Sequence, residues 1–502
     1  MGEYLIVSNI SFKYGNSPEL LFDSISLNLH KGWTGIAGPN GSGKTTLLKL
    51  LSGILQPLSG SISKVPSSLY CEQRTDEMPE EFPDLIYQYT KEALTIRDSL
   101  GIRDEWLYRW NTLSHGERKR CQIASALLYN PIILAVDEPS NHLDHESRII
   151  LLDALKMYNG IGLLVSHDRE LLDSLCSHTV FIGDGSAELR KCAYSVAYLE
   201  KQRENENNIR LFEQAGKEAG KLKKKAAVQK VKADMADRNR SKRNISPKDH
   251  DAKAKIDGAR LTGKDALDGR QYARIRKQLE RVEGLQNSVS FTRSRQMGIV
   301  VENGVYRRYF PVNIDRGELN TGSARLIIPD LRIEPGQKIG IAGKNGSGKS
   351  TFLKMLAAAM KMPAEGLLYI PQEISLEESR LMLEKIHARN SADKGRIMTI
   401  VSRLGSDPTH LFDTLEPSPG EVRKLKLAEG LLSAPGIIIM DEPTNHMDLP
   451  SVECLEDALA ECGCAMLLVS HDLVFLRNLV SCFWSFEETD NSEFTIKVKD
   501  AL

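Results

Sequence analysis

The sequence predicts an α/β protein built from two copies of one domain, joined by a long α-helical hairpin linker. Three observations carry this. A set of motifs recurs at a nearly fixed offset. Short, continuous apolar runs lead into glycine-rich turns. A basic stretch without proline follows the first copy. The chain has 502 residues, more than the 100–200 or so of one domain. Apolar residues make up 41% and charged residues 26%, a balance that excludes a mainly disordered or collagenous chain.

The first copy is expected over residues 1–190. Trp33–Ala37 reads as a strand and Thr45–Leu51 as a helix, with Gly38-Pro39-Asn40-Gly41-Ser42-Gly43-Lys44-Thr45 spanning the turn between them. Ile132–Val136 and Leu163–Val165 are apolar throughout, as suits strands buried on both faces of a parallel sheet. The second copy, over 297–502, repeats the order: strand Lys338–Ala342, turn Gly343–Ser350, helix Thr351–Ala358, then strands Ile437–Met440 and Leu467–Val469. Asp137-Glu138-Pro139-Ser140-Asn141-His142 returns as Asp441-Glu442-Pro443-Thr444-Asn445-His446, and Ser166-His167-Asp168 as Ser470-His471-Asp472. The offset is 304 or 305 residues each time.

The linker is expected over 191–296. Its core, 201–295, holds 26 Lys and Arg against 13 Asp and Glu, whereas the whole chain carries −1. A basic insert between acidic bodies is the footprint of a protein that meets a polyanion, although a solvated helix pair with no partner has the same composition. Val196–Arg240 lacks proline and is rich in helix formers, with Val228, Val231 and Met235 at helical spacing. Tyr272, Ile275, Leu279 and Val282 repeat the 3-4-3 spacing of a seam. Pro247, Gly258, Gly263 and Gly269 put a break between the two helices, so a basic tip is expected. The tip has no aromatic residue over 241–269, so its RNA signal is charge rather than base stacking. Lys242, Arg243, Lys248, Lys253, Lys255, Arg260 and Lys264 are its candidate phosphate contacts.

The pattern G-x-x-x-x-G-K-[ST] between strand and helix carries specific chemistry. Backbone N–H groups and the helix N-terminus cradle phosphate oxygens. The candidate residues are Gly38, Asn40, Gly41, Ser42, Gly43, Lys44, Thr45 and Thr46, and Gly343, Asn345, Gly346, Ser347, Gly348, Lys349, Ser350 and Thr351. Lys44 and Lys349 would reach the β- and γ-phosphates, and Thr45 and Ser350 would ligate Mg2+ together with Asp137 and Asp441. Glu138 and Glu442 are placed to orient or deprotonate the attacking water. A lone histidine at a strand end is more often structural, but its repetition makes His167 and His471 candidates for the γ-phosphate.

Leu113-Ser114-His115-Gly116-Glu117, 23 residues before Asp137 counted from the serine, resembles the LSGGQ signature of ATP-binding-cassette (ABC) ATPases. With the phosphate loops, Gln73, Gln372, the Asp-Glu pairs and the late histidines, both copies resemble ABC domains. The resemblance implies ATP and Mg2+ as ligands, with Gln73 and Gln372 in the Mg2+ shell. It also implies two cassettes that sandwich two ATP molecules head to tail. Ser418 and Gly420 would then face Lys44, and Ser114 and Gly116 would face Lys349. Tyr14 resembles the aromatic residue that stacks on adenine. The second copy has Leu319 at that position, which leaves Tyr309 or Phe310 as candidates there. Its signature reads Pro417-Ser418-Pro419-Gly420-Glu421, and Pro419 removes a backbone N–H. The Lys44/Ser418 site is therefore expected to be the weaker ATPase.

Asn-His after the Asp-Glu-Pro-[Ser/Thr] runs, together with the charged linker, resembles the ABC-F translation factors. The long linker resembles the antibiotic-resistance subgroup, the Vga/Lsa type. Only 41 residues separate Gln73 from Ser114, which leaves little room for the arm of housekeeping members, and 31 follow His471. This resemblance implies binding to the bacterial ribosome at the tRNA exit site, against large-subunit RNA, exit-site proteins and peptidyl-site tRNA. The linker would help displace drugs from the peptidyl-transferase centre. A housekeeping ABC-F factor without drug protection is the alternative. A tandem importer ATPase fits less well, because its junction is short; a DNA-repair ATPase would need zinc cysteines. The longest apolar runs, such as Met466–Val469, fall far short of the roughly 18 residues of a membrane span. Met1–Ile10 lacks the features of a signal peptide, and the eight cysteines are scattered. A cytoplasmic monomer with paired cassettes, touching neither membrane nor DNA, is expected.

Overall fold

The computed structural model describes residues 4–15, 17–141, 143–239, 266–288, 306–320, 325–406, 408, 411, 417–445, 447–490 and 493–500. It divides into two compact units, Met1–Ala197 with Arg295–Leu502, and Tyr198–Ser294. The seven basic residues proposed for the linker tip lie outside the described residues.

Five parallel strands form the base of each copy. In the first, the spatial order is Ser68–Cys71, Ile133–Asp137, Ile161–Val165, Gly32–Ala37, Cys176–Gly183, and Ser186–Arg190 adds antiparallel at the edge. In the second, it is Leu367–Ile370, Ile437–Asp441, Ala465–Val469, Lys338–Gly343, Cys482–Asp490. The register repeats too: Ile133 faces Ile161 in one copy, and Ile437 faces Ala465 in the other. All residues of the two central acidic strands and of their neighbours Ile161–Val165 and Ala465–Val469 are buried. Helices cover both faces, which is why these runs are continuously apolar. The strand Ile161–Val165 begins two residues before the expected Leu163, because Gly162 interrupts the apolar run. A Cβ at Gly162 would stand 2.3 Å from the Trp33 ring, so only glycine fits that packing.

The copies differ at their flanks. The first carries a separate antiparallel sheet ordered Phe22–His30, Tyr4–Phe12, Ser59–Ile62. Its alternating face, Leu5, Val7 and Ile10, joins Ile36, Leu47 and Leu51 in one core. In the second, Gly317–Asn320, Arg325–Ile328 and Glu493–Lys499 extend the main sheet to eight strands.

The linker unit is a helix pair. Tyr194–Asn239 is one helix of 46 residues, about 70 Å long at the α-helical rise, and Ala266–Ser288 is a second of 23. They run antiparallel, since Gly216 faces Gln286 while Lys223 pairs with Glu283 at 2.8 Å. Ile275, Leu279 and Val282 form one side of the seam, as their spacing predicts. Val228, Val231 and Met235 lie in the long helix, as their helical spacing predicts, but are exposed; Ala215, Ala219 and Leu222 pack the other side of the seam. Small side chains there, with Gly216, let the helices approach closely. Among the described residues, no helix is long and apolar enough to cross a membrane.

Leu222 is the largest buried side chain that the long helix gives this seam. Leu222→Ala is expected to cost the pair about 2–3 kcal/mol, seen as faster amide hydrogen exchange in Ala266–Ser288; unchanged exchange would refute the seam.

Candidate nucleotide sites

Each phosphate loop ends at a glycine that sequence alone could place but not explain. Gly43 and Gly348 are left-handed, at φ 95° and 92°, and start the helices Lys44–Leu51 and Lys349–Ala359. A Cβ on Gly43 would also press 2.6 Å from the Phe22 ring. Neither helix has a side-chain cap, so the first-turn N–H groups are open to an anion. Lys44 Nζ donates to the Gly38 and Pro39 carbonyls at 2.8 and 3.0 Å; Lys349 Nζ donates to those of Gly343 and Lys344 at 2.8 and 2.7 Å. Burial lowers the pKa of both ammonium groups against the pull of nearby carboxylates, Glu138 for Lys44 and Glu442 for Lys349.

Thr45 and Tyr70 hydroxyls donate to Asp137 Oδ2 at 2.7 and 3.0 Å. Ser350 bonds the Asp441 carboxyl in the same way. Residues Glu138 and Glu442 both adopt left-handed backbone, φ 45° and 51°, a strained geometry for a residue with a Cβ. It turns the carboxyl back beneath the loop, where the His167 and His471 backbone N–H groups donate to it, each at 3.2 Å. Burial raises Glu138 to about 8, helped by Asp137, and raises Glu442 to about 7. Burial and the Lys44 charge depress His167 to about 3. His167 Nε2 lies 3.1 Å from Glu138 Oε1, a close approach without hydrogen-bond geometry, since that oxygen is buried without a hydrogen-bond partner. The His471 ring lies 3.5 Å from Glu442 and 3.0 Å from Asn345 Oδ1.

These residues fit a triphosphate with a hard cation. Ser42 Oγ, Ser347 Oγ and Asp441 Oδ1 are buried without a protein hydrogen-bond partner. Unpaired hydroxyls beside open N–H groups suit phosphate, and a free carboxylate oxygen beside a serine or threonine hydroxyl suits Mg2+.

The two cassettes meet over these loops. A cavity of about 630 Å3 is walled by Tyr14, Lys44, Gln73 and His167 from the first copy and by Ser418, Pro419 and Asn445 from the second. Lys44 and Ser418 thus share one cavity. Asn40 N–H donates to Asp448 Oδ2 at 2.6 Å, and Asp144 accepts from the Asn345 N–H in mirror fashion. Two arginines break the symmetry. Arg169 donates to Glu456 and Asp472 at 2.9 and 3.3 Å, and Arg148 donates to the His471 carbonyl at 3.0 Å while pairing with Asp168 at 3.2 Å. Their counterparts 304 residues on are Leu473 and Val452. No motif flags either arginine; only the contrast between copies does.

Ser114 and Ser418 cap the helices His115–Tyr129 and Pro419–Leu431, each in a reciprocal box with Glu117 or Glu421. Pro419 occupies the first helical position, where its fixed φ suits the turn. It starts the helix well, yet removes an N–H beside the Lys44 cavity. His115 keeps that donor in the first copy. Gly116 packs on Leu143, where a Cβ would clash at 2.8 Å, and Gly420 is buried. Thr46 Oγ1 hydrogen-bonds the Tyr14 hydroxyl at 2.9 Å, Thr351 is exposed, and the Gln372 carbonyl accepts from Arg423.

The second copy departs from expectation at adenine. Leu319 packs against the second core. Phe310 and Tyr306 cover Gly436, at the amino end of the strand Ile437–Asp441, and Tyr309 stacks beside Tyr306. The phosphate loop lies at the carboxyl ends of the strands, so Phe310 sits at their opposite, amino ends and Tyr309 stays with its neighbour there.

The family model described as ABC transporter matches residues 22–141 and 328–445. These are ABC ATPase domains in tandem. The chain is 28% identical to the ribosome protection protein VmlR of Bacillus subtilis, over 99% of this chain and 87% of that protein. It is also 28% identical to the tylosin resistance ATP-binding protein TlrC of Streptomyces fradiae, over 90% and 92%. Among solved structures, the archaeal ribosome recycling factor aABCE1, in complex with the stalk protein aP1, shares the fold at a TM-score of 0.64 and 19% identity, covering 98% of this chain and 90% of that one. The chain thus carries ABC domains in tandem and is similar over nearly its whole length to ABC-F ATP-binding proteins.

Two variants probe this arrangement. Arg169→Leu leaves the half-buried Glu456 and Asp472 without their cation, a loss of about 1–3 kcal/mol. Calorimetry is expected to show the cassettes melting in two transitions rather than one; a single unshifted transition would deny the contact. Pro419→Gly restores an N–H at the Lys44 cavity and is expected to raise ATP turnover about threefold or more. Unchanged turnover would mean that the missing donor does not limit that site.

Proposed function

We propose that this chain is an Mg2+-dependent ATPase that acts on the bacterial ribosome. It would bind at the tRNA exit site and protect the peptidyl-transferase centre from antibiotics. The observation that carries the ATPase half is the cavity that Lys44 shares with Ser418, since a site walled by both cassettes is complete only when they are paired. The ribosomal half rests on two supports: the similarity to VmlR, a ribosome protection protein, and to TlrC, a tylosin resistance protein, and the +13 balance of residues 201–295, which suits RNA phosphates. The working division is a first cassette over 1–190, a basic linker over 191–296 and a second cassette over 297–502. The partners are large-subunit RNA, exit-site proteins and peptidyl-site tRNA, in the cytoplasm.

The residues divide the chemistry. Lys44 and Lys349 exchange their loop carbonyls for β- and γ-phosphate oxygens, while the open helix N-termini and Ser42 and Ser347 hold the rest of the chain of phosphates. Thr45, Asp137 and Gln73, or Ser350, Asp441 and Gln372, would hold Mg2+, which would supply positive charge at the phosphates. Glu138 and Glu442 take the proton of the attacking water, and burial makes them stronger bases once ionised. His167 and His471 hold those carboxyls by their backbone N–H groups and turn their rings toward the γ-phosphate. Ser418 closes the Lys44 site, and Ser114 closes the Lys349 site. ATP then favours the paired form by its added contacts there, and hydrolysis releases it.

Glu138→Gln with Glu442→Gln is expected to keep ATP binding, stop turnover and accumulate the chain on ribosomes in ATP. The active chain should lower susceptibility to peptidyl-transferase drugs in a sensitive host, and deletion of 241–264 should abolish this. Failure of the double variant to accumulate would end the ribosomal reading. Ribosome retention without any change in susceptibility would leave a translation regulator.

A further inference from the structure

Beneath each nucleotide site lies a second buried cation. Lys119 stands five residues after Ser114, and Arg423 stands five after Ser418. Lys119 is 0% exposed and Arg423 3%. Among the described residues, neither bonds a carboxylate. Lys119 Nζ donates to the Glu72 carbonyl at 2.6 Å, next to Gln73, and to the Asp137 carbonyl at 3.3 Å, next to Glu138. Arg423 donates to the carbonyls of Glu442, at 3.2 Å, Asn445 and Gln372. The two copies use different residues to reach the same three segments: the signature helix, the glutamine segment and the acidic strand end.

Burying a cation costs several kcal/mol unless its donors are satisfied, and an apolar residue would fill these sites more cheaply. That this cost recurs in both copies, with the side chains exchanged, argues for a shared task rather than a packing accident. The connectivity defines the task. The signature helix of a cassette serves the site opened by the other cassette's loop, whereas its glutamine and glutamate serve its own. One buried cation therefore joins parts of two different ATP sites.

We propose that Lys119 and Arg423 are positioning residues that couple the two ATP sites, each transmitting the seating of its signature helix to the glutamine and glutamate of its own cassette. This rests on the head-to-tail ATPase reading above. When ATP draws Ser114 onto the Lys349 loop, the helix carries Lys119 with it, and the carbonyls of Glu72 and Asp137 follow. Gln73 and Glu138 are adjacent to those carbonyls, so the first site is set by occupancy of the second. Arg423 does the converse.

The test is steady-state ATP hydrolysis by the full chain carrying Lys119→Met, Lys119→Gln or Lys119→Arg, with the matching Arg423→Met and Arg423→Lys. Methionine fills the space without donors. Lys119→Met is expected to lower kcat about tenfold or more, to leave KM within about threefold and to bring the Hill coefficient for ATP toward one. Lys119→Arg and Arg423→Lys should recover most of the rate, since each residue already performs this task in the other copy. Should methionine unfold the cassette, Lys119→Gln retains a donor and is expected to fold with an intermediate kcat. Wild-type kcat and cooperativity in Lys119→Met would overturn the coupling. So would an Arg variant as impaired as the Met variant, or a melting temperature lowered in step with kcat, either of which marks a purely structural residue. A wild-type chain that hydrolyses no ATP would instead overturn the ATPase reading itself.

Discussion

A carboxyl group buried at the end of a parallel strand is the constraint on which the structure depends. Glu138 and Glu442 are each about 5% exposed, carry left-handed backbone and titrate far above an ordinary glutamate. An isolated carboxylate could not stay charged in such a place. The protein surrounds it with what makes ionisation reachable. A histidine N–H donates to it, a loop lysine lies within Coulombic range, and Lys119 or Arg423 fixes the strand end from below. The buried parallel sheet exists to hold these groups in register, and the glycine loop exists to bring phosphate to them.

Duplication produced two such places, but not two equal ones. Arg148 and Arg169 come from the first cassette only and close on His471, Glu456 and Asp472 of the second. Arg148 also helps to hold down the pKa of Glu442 across the interface, an influence that Val452 has no charge to return. Pro419 takes a donor from the opposite site. The asymmetry therefore resides in side chains that touch the partner cassette, while the motifs that touch phosphate repeat almost letter for letter.

The repeat, the strands and the phosphate loops were legible because backbone rules wrote them: continuous apolar runs, left-handed glycines and capping serines each have a local signature. Gly162 hid the start of one strand, since its reason is the distant Trp33 ring. The helical spacing of Val228, Val231 and Met235 marks the long helix but not its seam, because apolar spacing does not say which turns meet a partner; alanines and Leu222 meet it instead. The second adenine contact could not be found by adding an offset, for the flanking sheets of the two copies differ. Lys119 and Arg423 escaped notice because a cation near a signature helix reads as surface until its burial is known.

Pairing of the cassettes by ATP is the claim that matters most, and it can be measured by pulsed electron-spin distances. With one spin label on each cassette, at exposed Tyr129 and Leu376, the Glu138→Gln, Glu442→Gln chain should show a narrow distance distribution in ATP and a broader or longer one without nucleotide. Distributions indifferent to ATP, in a chain that still binds it, would contradict the account.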